Sequence, residues 1–208
     1  MKRIRRSCRR FAAAVLVVFA GALAPWAASA QSQVEDLSSV GADGTRVLEQ
    51  RVLVPAPADE VWKAWATSEG FGSWVAPFAR VDLRLGGSME ASFNDAAKPG
   101  DRDNIRNEIV ALVPGRLFAI RNVQAPANAP FDVPVFQTLH TVVLFEPKGP
   151  GSTQVTVIMP GVGSGPAHDG VYKHFAWGNR YTLDALRKRF VDGPTDWAKV
   201  REAMRSKK

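Results

Sequence analysis

Three histidines carry the titratable chemistry of this chain near neutral pH. His168 and His174 lie six residues apart in a predicted helix, whereas metal ligands on one helical face need a spacing of three or four. They are therefore not predicted to share a metal. His140 lies in a predicted strand between Leu139 and Thr141. It would polarise a ligand carbonyl if it faced the interior; the alternative is a solvent-facing or structural histidine.

A glycine-rich run, Gly161 to Gly165, follows a predicted strand and precedes a predicted helix. This is the setting of a phosphate cradle, but the run lacks the lysine of a P-loop and the spacing of a dinucleotide fingerprint. Ser164 within it has no general base paired with it by sequence. The run is therefore interpreted as a flexible connector. No catalytic residue, no metal site and no cofactor is predicted from these residues.

Aromatic side chains are the better candidates for contacts with a ligand. Ordinary core packing explains any one of them, because aromatic residues dominate protein cores. A binding site would require several of them to converge on one space. With His140 included, the predicted ligand-binding residues are Trp74, Phe93, Phe118, Phe136, His140, Trp177 and Tyr181.

Residues 1–30 have the pattern of an export signal. A basic head is followed by an apolar run from Phe11 to Leu23, and Ala28-Ser29-Ala30 gives the small-residue spacing that a signal peptidase reads. The alternative is a membrane anchor, but the apolar run is shorter than the roughly 20 residues that a spanning helix needs. The mature chain is therefore expected to begin near Gln31, to have no integral membrane segment and to be periplasmic or secreted.

Removal of this leader changes the charge and the cysteine content of the chain. Six of the 27 basic residues lie in it, which leaves 21 against 20 acidic residues. The mature protein has no basic surplus for phosphate neutralisation, so nucleic-acid binding is excluded. The one cysteine, Cys8, is also in the leader. Disulfides, a thiolate nucleophile and a cysteine metal site are therefore excluded from the mature domain.

The rest of the chain is predicted to form one domain. Residues 31–44 are a polar, mobile lead-in, residues 45–190 form the domain, and residues 191–208 are a basic C-terminal extension. A strand is expected at Arg46 to Val54, followed by a helix that opens at Pro57 and a short second helix. Three hairpins follow, giving seven strands in all. A long helix over about residues 167–190 must cover the buried face of this sheet.

Several turn and packing motifs, taken in order, resemble the START-like or SRPBCC superfamily. The branch that they resemble contains the heat-shock ATPase-activator-like and polyketide-cyclase-like domains. The motifs are Pro57 to Trp65, Trp74, Leu85 to Met89, Ile109 to Leu117, Phe145-Glu146-Pro147, and Trp177 with Leu183 and Leu186.

This resemblance implies an α+β helix-grip fold, in which a curved antiparallel seven-stranded sheet surrounds a long C-terminal helix. It also implies a largely apolar cavity between sheet and helix, which suits a hydrophobic small molecule or lipid. The preferred hypothesis is a non-catalytic ligand-binding domain. Two alternatives stay open: a cyclase-like or hydrolase-like enzyme using the same cavity, and an envelope protein that binds an unknown protein partner beside residues 124–136.

Overall fold

The computed structural model describes residues 32–206, which form a nine-stranded antiparallel sheet and five helices. The strands are β1 Glu35–Asp36, β2 Ser39–Val40, β3 Arg46–Val54, β4 Phe78–Val81, β5 Ser88–Ser92, β6 Ile105–Val113, β7 Leu117–Gln124, β8 His140–Gly149 and β9 Ser152–Val162. The helices are α1 Ala58–Ala66, α2 Ser68–Gly72, α3 Val133–Thr138, α4 Pro166–Asp192 and α5 Trp197–Arg205. The proposed leader lies outside the described residues.

The strands follow the order β1-β3-β9-β8-β7-β6-β5-β4, with β2 also paired to β3. Strands β3 to β9 are the seven that the sequence predicts, and the α+β helix-grip arrangement of sheet and C-terminal helix is confirmed. None of the described helices is both long and apolar enough to cross a membrane.

The segment before Thr45 differs from the expected free lead-in, because β1 and β2 pair with β3 and bring the total to nine strands. The side chain of Val34 is buried in the core. Arg180 of α4 donates a hydrogen bond to the carbonyl of Val34 over 3.2 Å. The folded unit therefore begins near Ser32. Pairing at the edge of a sheet uses backbone groups and does not need apolar side chains, so the polar composition of this segment does not predict β1 and β2.

Helix α1 forms where the sequence predicts it. Pro57 precedes it, and Asp59 and Glu60 lie in the first turn, where the helix dipole favours acids. Its apolar stripe buries Val61 and Trp65 against the sheet. This packing positions the indole of Trp65 over the inner face of the sheet, which is the face that α4 covers.

Helix α4 spans two hydrophobic clusters on that inner face. Val171, near its N-terminus, packs in a smaller cluster with Leu48 and Met159, while Leu183 and Leu186 pack in the main core. The start of α4 is fixed by Arg46 of β3, whose Nη1 lies 2.8 Å from Oδ1 of Asp169.

Two local features differ from the sequence-based prediction. The first of the three hairpins begins earlier than the alternation of apolar residues from Val81 to Phe93 predicts, because residues 82–87 form the turn and β4 lies before them at Phe78–Val81. A Cβ at Gly87 would lie 2.1 Å from the carbonyl oxygen of Asp82, so the turn requires glycine there. The proline-rich connection after β7 also contains α3. Asp132 caps this helix by accepting a hydrogen bond from the amide of Val135 over 2.9 Å.

Candidate ligand-binding site

Two of the predicted ligand contacts, Trp74 and Phe118, belong to the solid aromatic core. The ring of Trp65 lies between them, with centroids 4.8 Å from Trp74 and 5.6 Å from Phe118. Trp74 donates its indole N–H to the carbonyl of Ala64 over 2.9 Å. Both side chains are buried, at 2% and 0% exposure. They form part of the wall of the fold, and neither of them lines the cleft at Phe93.

Phe136 is buried beside the smaller cluster, where its ring stacks on Phe175 of α4 at 5.9 Å between centroids. Trp177 and Tyr181 stack on each other at 5.6 Å, but they are 65% and 55% exposed. The exposed His140 starts β8 and stands opposite Arg121 of β7. The structure therefore separates these four side chains from the aromatic core, and it places His140 outside the interior.

Phe93, the remaining candidate, lines a cleft of about 570 Å³ at the ends of β5 and β6. Its side chain is 61% exposed, and that of Ile105 across the cleft is 38% exposed. Large apolar side chains that are exposed together inside a concave surface are typical of ligand sites. The lining residues are Ala91, Ser92, Phe93, Asn94, Asp103, Ile105, Pro126, Ala127 and Asn128.

Hydrogen bonds hold the two loops that frame this cleft. The buried carboxylate of Glu90 accepts from the amide of Gly100 over 2.7 Å and from Nδ2 of Asn104 over 2.8 Å, which fixes the loop after β5. Asp103 in that loop accepts from the amide of Ala127 over 3.2 Å, which joins it to the loop after β7. These hydrogen bonds therefore hold the two loops that form the walls of the cleft in fixed positions.

The inner face of the sheet continues from the cleft toward the interior. Residues two apart on a strand share a face and lie about 7 Å apart, so Asn107 follows Ile105 along β6. Asn107 stands opposite Met89 on one side and opposite Asn122 on the other. Oδ1 of Asn107 is buried and has no hydrogen-bond partner among residues 32–206. A ligand entering from the cleft would meet this carboxamide.

Further neutral polar groups occupy the same face. Thr141 of β8 stands opposite Ile120 of β7, and Ile120 stays partly exposed although it lies on a central strand. Gln50 of β3 is fully buried, and its Nε2 donates to Oδ2 of Asp36 and to the carbonyl of Ala176. Oε1 of Gln50 has no hydrogen-bond partner within the described part of the chain.

The indole Nε1 of Trp65 is the third buried side-chain polar atom without a partner among residues 32–206, after those of Gln50 and Asn107. Buried polar groups in native proteins are normally hydrogen-bonded to protein, water or ligand. The interior of this domain therefore offers both hydrogen-bond acceptors and a donor that the described chain itself leaves unused.

One titratable group borders the loop that frames the cleft. His174 of α4 lies with its ring 4.6 Å from that of Phe131, in the loop between β7 and β8. Burial lowers the pKa of His174 below its ordinary value of 6.5. The neutral imidazole is therefore favoured in this aromatic contact.

Sequence reasoning found Phe93 but missed Ile105, Asn107, Ile120 and Asn122. Asn107 and Asn122 occupy positions of β6 and β7 that face the interior, where an apolar residue is the norm. This break in the alternation was the available signal. To recognise it, one must know the register between β6 and β7, which shifts by one residue at two irregularities, Arg106/Asn107 and Ile109/Ala111.

An antiparallel sheet gripping a long C-terminal helix, with a cleft at its open end, defines the helix-grip class of α+β domains. Residues 55–190 match the family described as activator of Hsp90 ATPase homolog 1-like protein. The chain belongs to this family, within the SRPBCC superfamily. Among curated protein sequences, none matches this chain.

Solved structures with the same fold are distant in sequence. The Aha1 dimer from Colwellia psychrerythraea is 15% identical, with a TM-score of 0.54 over 71% of this chain and 97% of that one. CalU16 from Micromonospora echinospora is 19% identical, with a TM-score of 0.53 over 83% and 92%. Protein MLL2253 from Mesorhizobium loti is 16% identical, with a TM-score of 0.53 over 71% and 97%. At these identities the likeness shows the fold alone.

Proposed function

We propose that this chain is an exported SRPBCC domain that binds a hydrophobic small molecule or lipid between the inner face of the sheet and α4. The guest enters by the cleft at Phe93. The single observation that carries the proposal is Asn107, whose buried carboxamide oxygen is unpartnered in the described chain directly inward of exposed apolar side chains.

The dimensions of the cleft support a small guest. Its volume of about 570 Å³ falls within the range of roughly 300–1,000 Å³ that is typical of ligand pockets. Phe93 and Ile105 present apolar surface at the mouth, and burial of such surface stabilises a bound guest by about 25 cal/mol for each Å² removed from water. An apolar molecule would gain free energy by covering these two side chains.

The partial exposure of Ile120 supports a space farther inside. A residue in the middle of a sheet, on the face that a helix covers, is buried when the helix and sheet interdigitate fully. Ile120 lies on β7, between β6 and β8, and yet keeps accessible surface. We therefore place the body of the guest against Ile120 and its polar end at Asn107.

A binding role fits these residues better than catalysis does. An enzyme of the cyclase or hydrolase type would need a titratable group inside the site, with a pKa suited to proton transfer. His140, the candidate from sequence, is exposed at the start of β8. The neutral groups Gln50, Asn107 and Thr141 that face the interior orient a guest by hydrogen bonding and are poor general acids or bases.

Export is part of the proposal and rests on the pattern of residues 1–30. N-terminal sequencing of the protein from its native envelope tests it directly. A mature N-terminus at or near Gln31 is expected, and an intact Met1 in the cytoplasmic fraction would contradict export while leaving the binding proposal standing.

Identification of a co-purifying guest tests the binding proposal. The protein is purified from its native envelope without detergent, extracted with organic solvent, and the extract is analysed by mass spectrometry. A defined apolar molecule in stoichiometric amount is expected. An extract identical to that of an unrelated envelope protein purified in parallel would contradict ligand carriage.

A further inference from the structure

We infer that the guest of this site is a neutral amphiphile: an apolar body carrying a hydroxyl, carbonyl or amide group, with no carboxylate or phosphate. The inference rests on the proposed binding function and narrows its ligand class. It depends on which polar groups the inner face of the sheet presents and on which charged groups it turns away.

The polar groups on the inner face around Asn107 are neutral. Arg46 of β3 is paired with Asp169 at the start of α4, whereas Gln50, Asn107, Asn122 and Thr141 are uncharged side chains that β3, β6, β7 and β8 turn toward the interior. Three of them are carboxamides, each of which offers an acceptor oxygen and two N–H donors. Asn122 uses its Nδ2 on the carbonyl of Phe136 over 3.1 Å. Asn107 has the free acceptor nearest to the cleft.

The neighbouring cations face the other way. Arg106 pairs with the outward-facing Glu90 of β5, and Arg121 follows the inward-facing Ile120 in sequence, so both lie on the outer face. Arg121 is hydrogen-bonded there to Glu108. A carboxylate at Asn107 would therefore be buried without a cationic partner, which is strongly unfavourable.

The mouth of the cleft disfavours anions as well. Asp103 is exposed in its lining and adds negative charge where a guest enters. A neutral hydroxyl or amide avoids both the burial of an unpaired charge and the repulsion by Asp103. It also forms a hydrogen bond with the unused carboxamide of Asn107. The site is thus built to accept a hydrogen-bonding group and to reject an anion of the same size.

Three probes with one ring system separate the gain from a hydrogen bond from the cost of burying a charge. They are naphthalene, 1-naphthol and 1-naphthoate at pH 7. Their dissociation constants are measured by titration calorimetry or fluorescence on the mature protein. We expect 1-naphthol to bind about three- to tenfold more tightly than naphthalene, as one net hydrogen bond allows. We expect 1-naphthoate to bind at least tenfold more weakly than 1-naphthol, because its charge is desolvated.

The variant Asn107→Leu should remove the preference for 1-naphthol over naphthalene while retaining naphthalene binding. Gln154→Leu, which removes a carboxamide from the outer face of β9, where its Nε2 is hydrogen-bonded to Glu146, should keep the preference within twofold. If 1-naphthoate binds as tightly as 1-naphthol, or if Asn107→Leu keeps the preference, the neutral-ligand inference fails and apolar binding stands. If none of the three probes binds, both the inference and the proposed function fail.

Discussion

Asn107 and Asn122 stand opposite each other across β6 and β7, yet only the side chain of Asn122 has a hydrogen-bond partner among the residues described. The two asparagines therefore separate two roles on one sheet face. Asn122 holds the connection before β8 in place through the carbonyl of Phe136. Asn107 keeps an unused hydrogen-bonding group in the interior, which is typical of a site maintained for a ligand at some expense of stability.

This contrast predicts that replacing each asparagine with leucine has a different effect on the free energy of unfolding. Asn122→Leu should lower the free energy of unfolding by about 0.5–1.5 kcal/mol, because it removes a buried hydrogen bond to the carbonyl of Phe136, which keeps only the bond from the amide of Leu139 over 3.2 Å. Asn107→Leu should leave that free energy unchanged or raise it, because it removes an unpaired polar group. Urea denaturation of the unliganded protein measures both. A loss of stability in Asn107→Leu as large as that in Asn122→Leu would contradict the assignment.

The exposed aromatic residues are predicted to differ in their effect on binding. Phe93→Ala should weaken binding of 1-naphthol about tenfold, because one aromatic contact in the cleft is lost. Trp177→Ala removes a side chain of similar exposure on α4, away from the cleft, and should change the affinity by less than twofold. Equal losses in the two variants would show that the guest does not use the Phe93 cleft.

Arg46 is predicted to contribute more to stability than the other arginine of β3 that forms an ion pair. Its Nε donates to the carbonyl of Gly163 over 3.1 Å, and its guanidinium lies 4.6 Å from the ring centroid of Tyr172. Arg46→Met should lower the free energy of unfolding by about 2–3 kcal/mol, because charged hydrogen bonds to Gly163 and Asp169 are lost together.

Arg51→Met is the control, since Arg51 pairs with the exposed Glu35 at 2.7 Å. Such a surface pair contributes about 0–1 kcal/mol. Chemical denaturation of both variants measures the difference. Equal, small losses would mean that the start of α4 is held by apolar packing alone.

The lowered pKa of His174 predicts a dependence of stability on pH. Because burial holds the folded pKa below 6.5, the unfolded chain binds the proton more readily as the pH falls through this value. The contribution of His174 is therefore fully present above about pH 6.5 and decreases below it. Asp36 and Asp59, whose pKa values lie below 3.8, act only at lower pH.

Urea midpoints measured between pH 7.5 and pH 5 test this prediction. His174→Phe, which keeps an aromatic ring against Phe131, should show a smaller decrease than the wild-type protein over that range. A decrease of the same size in the variant would assign the pH dependence to other groups.

Residues 57–65 illustrate what the sequence predicts well. A helix start is specified by local signals, here a proline and two acids followed by apolar residues at helical spacing. Helix α1 accordingly forms at Ala58–Ala66, as expected. The pairing of residues 35–40 with the edge of β3 is not predictable in this way, because it depends on backbone groups that any sequence supplies. The site was predicted least well. Whether an aromatic side chain fills the core, as Phe118 does, or lines a cleft, as Phe93 does, depends on neighbours from distant strands.

The central claim is that room for a guest exists between the inner face of the sheet and α4, and filling that room tests it most directly. Ile120→Trp adds bulk at the partly exposed inner position of β7, while Leu53→Trp adds the same ring at a position of β3 that is 53% exposed. Native mass spectrometry is performed on wild-type protein and on both variants, each purified from the native envelope. We predict an apolar adduct on the wild-type protein and on Leu53→Trp and its absence from Ile120→Trp, whereas no adduct on any of the three, or an equal adduct on Ile120→Trp, would contradict the account.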